Sequence, residues 1–211
     1  FGGDNFQVPF SFKKDDTWEW DGSTWYLRSF ATAPSARTQY CMAYDRKRGQ
    51  TVLFGGATGT VYTPDSETWE YDGSGWTEVY SSGSTPAARY GCKMVYSESR
   101  GTVLMYGGMD AASTILTDLW EWDGSEWINL NSPGPAVKDF GLAWNSVEES
   151  LYLLGGVDGS SNFSDDLWIW NGSSWSAGTV FPSGVSGPLL VYNAGRNMMM
   201  VAGGVSINGV G

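Results

Sequence analysis

One eight-residue phrase occurs four times in this 211-residue chain and restricts what the chain can fold into. It reads Trp18-Glu-Trp-Asp-Gly-Ser-Thr-Trp25, Trp69-Glu-Tyr-Asp-Gly-Ser-Gly-Trp76, Trp120-Glu-Trp-Asp-Gly-Ser-Glu-Trp127 and Trp168-Ile-Trp-Asn-Gly-Ser-Ser-Trp175. The copies start 51, 51 and 48 residues apart and hold eleven of the twelve tryptophans. Self-similarity at a fixed period of this size marks a repeat architecture, in which each unit buries its apolar face against the next.

The phrase has the chemistry of a β-hairpin. Asp-Gly (Asn-Gly in the last copy) suits a two-residue type I′ turn, whose central residues both take positive φ. With Asp21-Gly22 as that turn, Trp20 stands opposite Ser23 and Trp18 opposite Trp25. Alternation along each strand then puts Trp18, Trp20 and Trp25 on one face. Glu19, Glu70 and Glu121 point the other way, and Ile169 takes their place in the last copy. A facing aromatic pair adds roughly 0.2–1 kcal/mol beyond alanine; the apolar area that stacked neighbours cover contributes more. Recurrence in register marks these rings as core rather than as a row of sugar-stacking platforms.

A second element recurs between the hairpins. An apolar residue and a Gly-Gly dyad stand at Phe1-Gly2-Gly3, Phe54-Gly55-Gly56, Tyr106-Gly107-Gly108, Leu154-Gly155-Gly156 and Ala202-Gly203-Gly204. Each later dyad closes a short apolar strand: Thr51 to Phe54, Thr102 to Tyr106, Leu151 to Leu154, and Met198 to Ala202. Eleven residues before each lies an aromatic, Tyr44, Tyr96, Trp144 or Tyr192. Polar tips such as Asp45-Arg-Lys-Arg-Gly49 join the two strands, and their charges read as a solvated hairpin end. Each unit thus holds four strands, the first with the aromatic, the second ending in Gly-Gly, the last two forming the tryptophan hairpin. Glycine at a strand end permits close backbone approach and unusual φ.

Composition removes several classes of function. The 29 glycines and 15% aromatic content suit many short strands joined by turns. A formal charge of −11 leaves no basic stripe to follow phosphates, so neither nucleic acid nor an anionic membrane is expected as a partner. Nothing approaches the apolar run that spans a bilayer. No signal peptide is present among these residues, so any targeting segment is expected outside them. Histidine is absent, which excludes imidazole ligands, imidazole bases and Ser-His or Cys-His dyads. Two cysteines, Cys41 and Cys92, are too few for a disulfide framework. They fall on equivalent strands one position out of register, so alternation turns them to opposite faces, and two buried thiols are expected.

The Gly-Gly dyad after an apolar strand, the aromatic-Asp-Gly hairpin with its following Trp, and a Pro-x-x-Arg lead into the next unit together resemble the kelch repeat. Pro34-Ser-Ala-Arg37 and Pro86-Ala-Ala-Arg89 carry the lead, Pro135-Ala-Val-Lys138 is a weakened copy, and the segment at Gly187-Pro188 has lost the basic residue. The Trp-Glu-Trp-Asp-Gly-Ser wording is similar to that of kelch proteins of environmental bacteria. The resemblance covers nearly the whole chain and implies an all-β fold, a kelch-like β-propeller of four-stranded antiparallel blades. Residues 1–211 are expected to form one such domain, with repeat units near 1–54, 55–106, 107–154 and 155–211, about four blades' worth of sequence. Kelch propellers usually hold five to seven blades. The beginning of the chain supplies third and fourth strands without a preceding pair, and its end supplies first and second strands without a following hairpin. These halves either join into one shared blade or belong to a larger assembly, and the second arrangement is favoured, with self-association if the ring is incomplete.

Recognition is expected in the segments between Gly-Gly and the hairpin, Asp4 to Asp16, Ala57 to Glu67, Met109 to Asp118 and Val157 to Asp166. Asp158 to Asp166 is rich in oxygen ligands but lacks EF-hand spacing, so it reads as a polar turn. Asp15-Asp16 and Asp165-Asp166 precede hairpins at equivalent places, which suits turn or capping duty over paired acid–base work. The phrase also resembles the Asp-box of sialidases but lacks that motif's residue between Asp and Gly. Kelch-type copper oxidases need histidine ligands, which this chain does not have. The resemblance places Arg37, Arg89 and Lys138 near the central mouth, as candidate contacts for an acidic partner; the alternative is that they bond carbonyls between blades. Asn162-Phe-Ser164 and Asn171-Gly-Ser173 match the glycosylation sequon. No catalytic residue, cofactor or metal is expected. The chain reads as a secreted or cell-surface binding module for a protein, or for a glycan stacking on Tyr62, Phe10, Phe12 or Phe163. A sugar-modifying enzyme ranks last.

Overall fold

The structure, a computed structural model, describes residues 1–7, 10–59 and 62–206, with side chains left undescribed over 4–12. Every regular element among the described residues is a β-strand. Two ribbons come first, β1 (Gly3–Gln7) with β2 (Phe10–Lys14) and β3 (Thr17–Trp20) with β4 (Trp25–Arg28). Three four-stranded antiparallel blades follow. Blade I contains β6 (Cys41–Asp45), β7 (Gln50–Phe54), β10 (Thr68–Tyr71) and β11 (Trp76–Val79). Blade II contains β12 (Lys93–Ser97), β13 (Thr102–Tyr106), β14 (Leu119–Trp122) and β15 (Trp127–Asn129). Blade III contains β16 (Gly141–Asn145), β17 (Ser150–Leu154), β18 (Leu167–Trp170) and β19 (Trp175–Ala177). A last ribbon pairs β21 (Leu189–Asn193) with β22 (Met198–Ala202). Short strands gather where the Gly-Gly dyads lie: β5 (Arg37–Thr38), β8 (Ala57–Thr58) and β9 (Thr63–Pro64) form one sheet, β20 (Val185–Ser186) and β23 (Val205–Ser206) another. The strand content of a unit and the placement of Gly-Gly at the end of its second strand agree with the reading of the sequence.

The hairpin turn differs from the expected one. Trp20 stands opposite Trp25, and Trp18 opposite Leu27, so the loop holds four residues rather than two. The same register recurs at Tyr71 and Trp76, Trp122 and Trp127, and Trp170 and Trp175. Only the glycine takes positive φ, 103° at Gly22, while Asp21 does not. The aspartate instead curls its carboxylate into the loop, accepting from the Ser23 and Thr24 amides and the Ser23 hydroxyl. Those bonds favour an Asx-type turn over the strained backbone of a type I′ turn. Period-2 alternation is unaffected, so Trp18, Trp20 and Trp25 still share a face, now with Leu27.

The tryptophan faces of blades I, II and III pack against the unit before them. Val52 and Phe54 of blade I share one buried cluster with Trp120, Trp122 and Trp127 of blade II. The Phe54 and Trp127 rings meet edge-on at 5.3 Å. Burying an indole N–H without a partner is costly, and the preceding blade supplies acceptors: Trp127 donates to the Thr68 hydroxyl at 2.9 Å and Trp122 to Glu70 at 2.8 Å. Trp76 likewise donates to Thr17, and the Tyr71 hydroxyl to Glu19. Glu19 and Glu70 are therefore interblade acceptors, while arginines at hairpin tips hold two glutamates of the phrase within their own blades, Arg48 on Glu70 and Arg100 on Glu121.

The cysteines correct the expectation of free thiols. Cys41 and Cys92 form a disulfide, with Cα atoms 5.5 Å apart. Cys41 opens β6, and Cys92 immediately precedes β12. Opposite faces exclude a bridge within one sheet, but consecutive blades stack face to face. A forward-facing residue of one blade therefore meets a backward-facing residue of the next.

The two ribbons at the ends stay apart. Among the described residues β3 pairs only with β4 and β22 only with β21, so the expected halves of a shared blade do not join within one chain.

Candidate functional site

The Gly-Gly dyads gather the variable loops by allowing backbones to touch. Each lead segment runs antiparallel to the loop after a dyad: Arg37–Thr38 on Ala57–Thr58, Tyr90 on Met109, and Lys138 on Val157. The lead of blade II also crosses back, its Arg89 carbonyl accepting from Gly56 at 2.9 Å. A Cβ on Gly55 would sit 2.6 Å from that carbonyl, and one on Gly155 would sit 2.5 Å from the Val185 carbonyl. No other residue fits there, which is the local reason for the dyad.

The three candidate contacts separate into two environments. Arg37 and Arg89 are 0% exposed. Arg37 donates to the Ser35 and Gly55 carbonyls and to Glu67. Arg89 donates to the Ala87 and Gly107 carbonyls and grips both oxygens of Asp118, at 2.6 and 2.8 Å. The same two carboxylates take the indole N–H of Trp69 and Trp120. Burial acts to raise the Asp118 pKa, but the Arg89 guanidinium and the Trp120 bond together hold it below its usual range. These arginines brace lead to hairpin within a repeat. Lys138 differs: it is half-buried, and its side chain makes no hydrogen bond or ion pair among the described residues.

Lys138 lines a pocket of about 460 Å³ between the loops of blades II and III, with Tyr90, Met109, Thr114, Ile115 and Asp158. Two loops of like geometry form its walls. Asp110 accepts from the amides of Ala112 and Thr114, and Asp158 from those of Ser160 and Asn162 and from the Asn162 side chain. Ser113 and Ser161 take positive φ at equivalent places. The Asn162 bonds draw the Asp158 pKa down, and those from Thr114 do the same for Asp110. The oxygen-rich stretch from Asp158 is thus a stapled loop. Phe163 lines a neighbouring pocket with Asp165, Asp166 and Trp168. Asp16 accepts the Trp18 indole N–H and Asp166 accepts from the Ser164 hydroxyl, so one member of each acidic pair serves its own turn.

Of the other aromatic candidates, Tyr62 is exposed, its ring 5.9 Å from Tyr90 and under the Lys13 ammonium at 4.8 Å. The side chains of Phe10 and Phe12 lie outside the described residues. Tyr90 escaped the sequence reading, and Met109 entered it only as the start of a recognition segment. Their signal was position, one residue after the basic lead and one after the Gly-Gly dyad.

Stacked four-stranded antiparallel sheets with apolar faces between them define a β-propeller. A family model, the KLHDC2/KLHL20/DRC7 Kelch-repeats domain, matches residues 47–209. The chain belongs to the kelch-repeat family. It is similar to the solved structure titled Structure of YjhT, with a TM-score of 0.71 at 13% identity, over 96% of this chain and 72% of that one. Among curated proteins it is similar to tRNA wybutosine-synthesizing protein 4 of Emericella nidulans, 28% identical over 146 residues, which is 62% of this chain. The protein of the same name from Aspergillus fumigatus is 27% identical over 123 residues, or 54% of this chain. The matched stretches span only 13% and 12% of those relatives' own lengths.

Proposed function

We propose that this kelch propeller is a non-catalytic binding module that engages a protein partner at the loops of blades II and III, with Lys138 receiving an acidic group. The observation that carries this reading is the contrast among the three leads. Arg37 and Arg89 spend their donors inside the fold, while Lys138 leaves an ammonium free beside a pocket of about 460 Å³ whose lining mixes Met109 and Ile115 with Ser113, Thr114 and Ser161. The acidic side chains nearby hold loop amides, so they are occupied as turn formers rather than poised as an acid–base pair. The fungal relatives are named for tRNA wybutosine synthesis, and the stretch they share with this chain is a small fraction of their length. We assign binding, not synthesis, to that stretch. The Cys41–Cys92 disulfide supports a secreted or cell-surface location, because such bonds persist in oxidising compartments.

The test is affinity capture from the native source with wild-type protein, followed by calorimetry on the recovered partner. Lys138→Glu is expected to weaken that complex more than tenfold with an unchanged melting temperature. Equal affinity for wild type and variant would remove Lys138 from the site. A glycan-binding reading has one observation of its own, the Tyr62–Tyr90 ring pair beside Lys13. Saturable binding on a glycan array, lost in Tyr62→Ala, would replace the protein reading.

A further inference from the structure

We propose that the cavity between the lead and the loop of blade III binds a guanidinium group, presented as an arginine side chain of a protein partner. Two sister repeats show what this place is shaped to hold. In blade I the Arg37 guanidinium donates to the Gly55 carbonyl at 3.0 Å and to Glu67 at 2.6 Å. In blade II Arg89 donates to the Gly107 carbonyl at 3.0 Å and to both oxygens of Asp118. Each guanidinium thus joins the first glycine of a dyad to the acid that stands two residues before the hairpin tryptophan.

Blade III keeps the acceptors but not the donor. In the Pro-x-x-basic wording Lys138 matches Arg37 and Arg89, yet it stands three residues before its strand and they stand four before theirs. The pairing agrees, with Thr38, Tyr90 and Lys138 in like places opposite Ala57, Met109 and Val157. The arginine place is therefore held by Val137, which lines a cavity of about 420 Å³ with Gly155, Phe163, Asp166 and Trp168. The Gly155 carbonyl, counterpart of the two that arginines meet, accepts no hydrogen bond among the described residues. Asp166, counterpart of Glu67 and Asp118, accepts from the Ser164 hydroxyl and enters no ion pair among those residues. The Trp69 and Trp120 indoles are buried and bond their acids. Trp168 is half-buried, and its indole N–H has no acceptor among the described residues.

The lining suits a planar cation that enters from outside. A carboxylate receives a guanidinium through two parallel N–H bonds, a geometry that an ammonium does not match. The Phe163 and Trp168 rings add surfaces on which a guanidinium stacks. A carbonyl left without a donor in the interior is costly, and an arriving N–H relieves it. The next lead bounds this cavity as it does in blade I. The Gly156 amide donates to the Val185 carbonyl at 2.8 Å, as the Gly56 amide does to the Arg89 carbonyl at 2.9 Å. This site adds a second anchor for a protein partner at the loops of blades II and III. It does not use Lys138, whose side chain lines the adjoining pocket.

Proton–nitrogen NMR on the whole chain tests this, with acetyl-Gly-Arg-Gly-amide as the probe. The reporter is the Trp168 indole signal, assigned by its loss in Trp168→Phe. The arginine peptide is expected to shift that signal saturably, and the same peptide with lysine to bind about tenfold more weakly or worse. Asp166→Asn, a change at an exposed residue, is expected to weaken the arginine peptide about tenfold or more with an unchanged melting temperature. Lys138→Glu is expected not to weaken it. The absence of a saturable shift overturns the proposal, as does equal binding of the lysine peptide or equal binding by Asp166→Asn. Weakening in Lys138→Glu would seat the peptide in the adjoining pocket and overturn it equally. Free arginine binding more tightly than the peptide would assign the site to the amino acid and overturn the protein partner. Because the probe stands in for the partner, failure here leaves the Lys138 contact untouched, and failure of Lys138→Glu against the native partner leaves this site untouched.

Discussion

Trp18-Glu-Trp20 and Trp120-Glu-Trp122 are the same words in two places, with opposite outcomes. Trp122 is 0% exposed and donates to Glu70, while Trp20, with the same neighbours in sequence and the same hairpin partner, is 51% exposed. Blade II has blade I to stack on; among the described residues the β3–β4 ribbon has no blade in front of it. A repeat thus encodes a face, and burial of that face depends on the next unit. In such arrays stability is carried by interfaces between repeats as much as by the repeats themselves.

The largest test of this contrast compares Trp122→Ala with Trp20→Ala by chemical denaturation. Removing a fully buried tryptophan costs about 3–5 kcal/mol, whereas the exposed ring should cost under about 1 kcal/mol. Equal losses would mean that the head ribbon is buried in solution. Next in size is the covalent tie. The interface of blades I and II is bridged across 51 residues of sequence, and that of blades II and III is not. Reduction should cost roughly 2–4 kcal/mol and raise amide exchange first in β6 and β12. Uniform loosening across all blades would show the bridge to be globally coupled.

Smaller effects compare the turns. Gly22 and Gly124 both have φ of 103°, so alanine is strained in either, by about 1 kcal/mol. A Cβ on Gly124 would also meet the Arg48 side chain at 2.7 Å, while one on Gly22 meets nothing. Thermal melts should therefore show Gly124→Ala as the worse of the two, through disturbance of the Arg48–Glu70 contact. The smallest contrast is with pH. Bonds from Thr24 and Ser23 hold Asp21 down to about 2, and bonds from Ser74 and Gly75 lower Asp72. A carboxyl depressed in the folded state stabilises above its unfolded pKa, about 4, and that contribution is lost as pH falls through the folded value. Asp21→Asn and Asp72→Asn should each flatten the decline in melting temperature between pH 4 and 2. Because the turn network is alike in both regions, the two variants should match, in contrast to the tryptophans.

Much of this was legible in the chain because it rests on short-range rules. Period-2 alternation fixed which rings share a face, and the strand ending at each Gly-Gly dyad lies where the pattern put it. The turn type was misjudged at Asp21, whose side chain offered the loop amides a better partner than its dipeptide statistics suggested. The disulfide was misjudged because face alternation was applied within one sheet. The geometry that decides Cys41 and Cys92 is between sheets, and no local pattern records it. The candidate site divided for a similar reason. Arg37, Arg89 and Lys138 hold one position in the repeat, yet only the first two meet carboxylates, Glu67 and Asp118, at bonding distance.

The sequence by itself determined the unit: four strands, their faces, the glycine dyads, and the glutamates set opposite the tryptophan face. Tertiary structure decided what each unit meets. It made Trp122 core and left Trp20 bare, joined two cysteines across a blade interface, and turned two of three basic residues into internal braces. The reason is physical. Strand and turn preferences act over a few residues, but burial, ion pairing and disulfide geometry depend on atoms brought together from units about fifty residues apart.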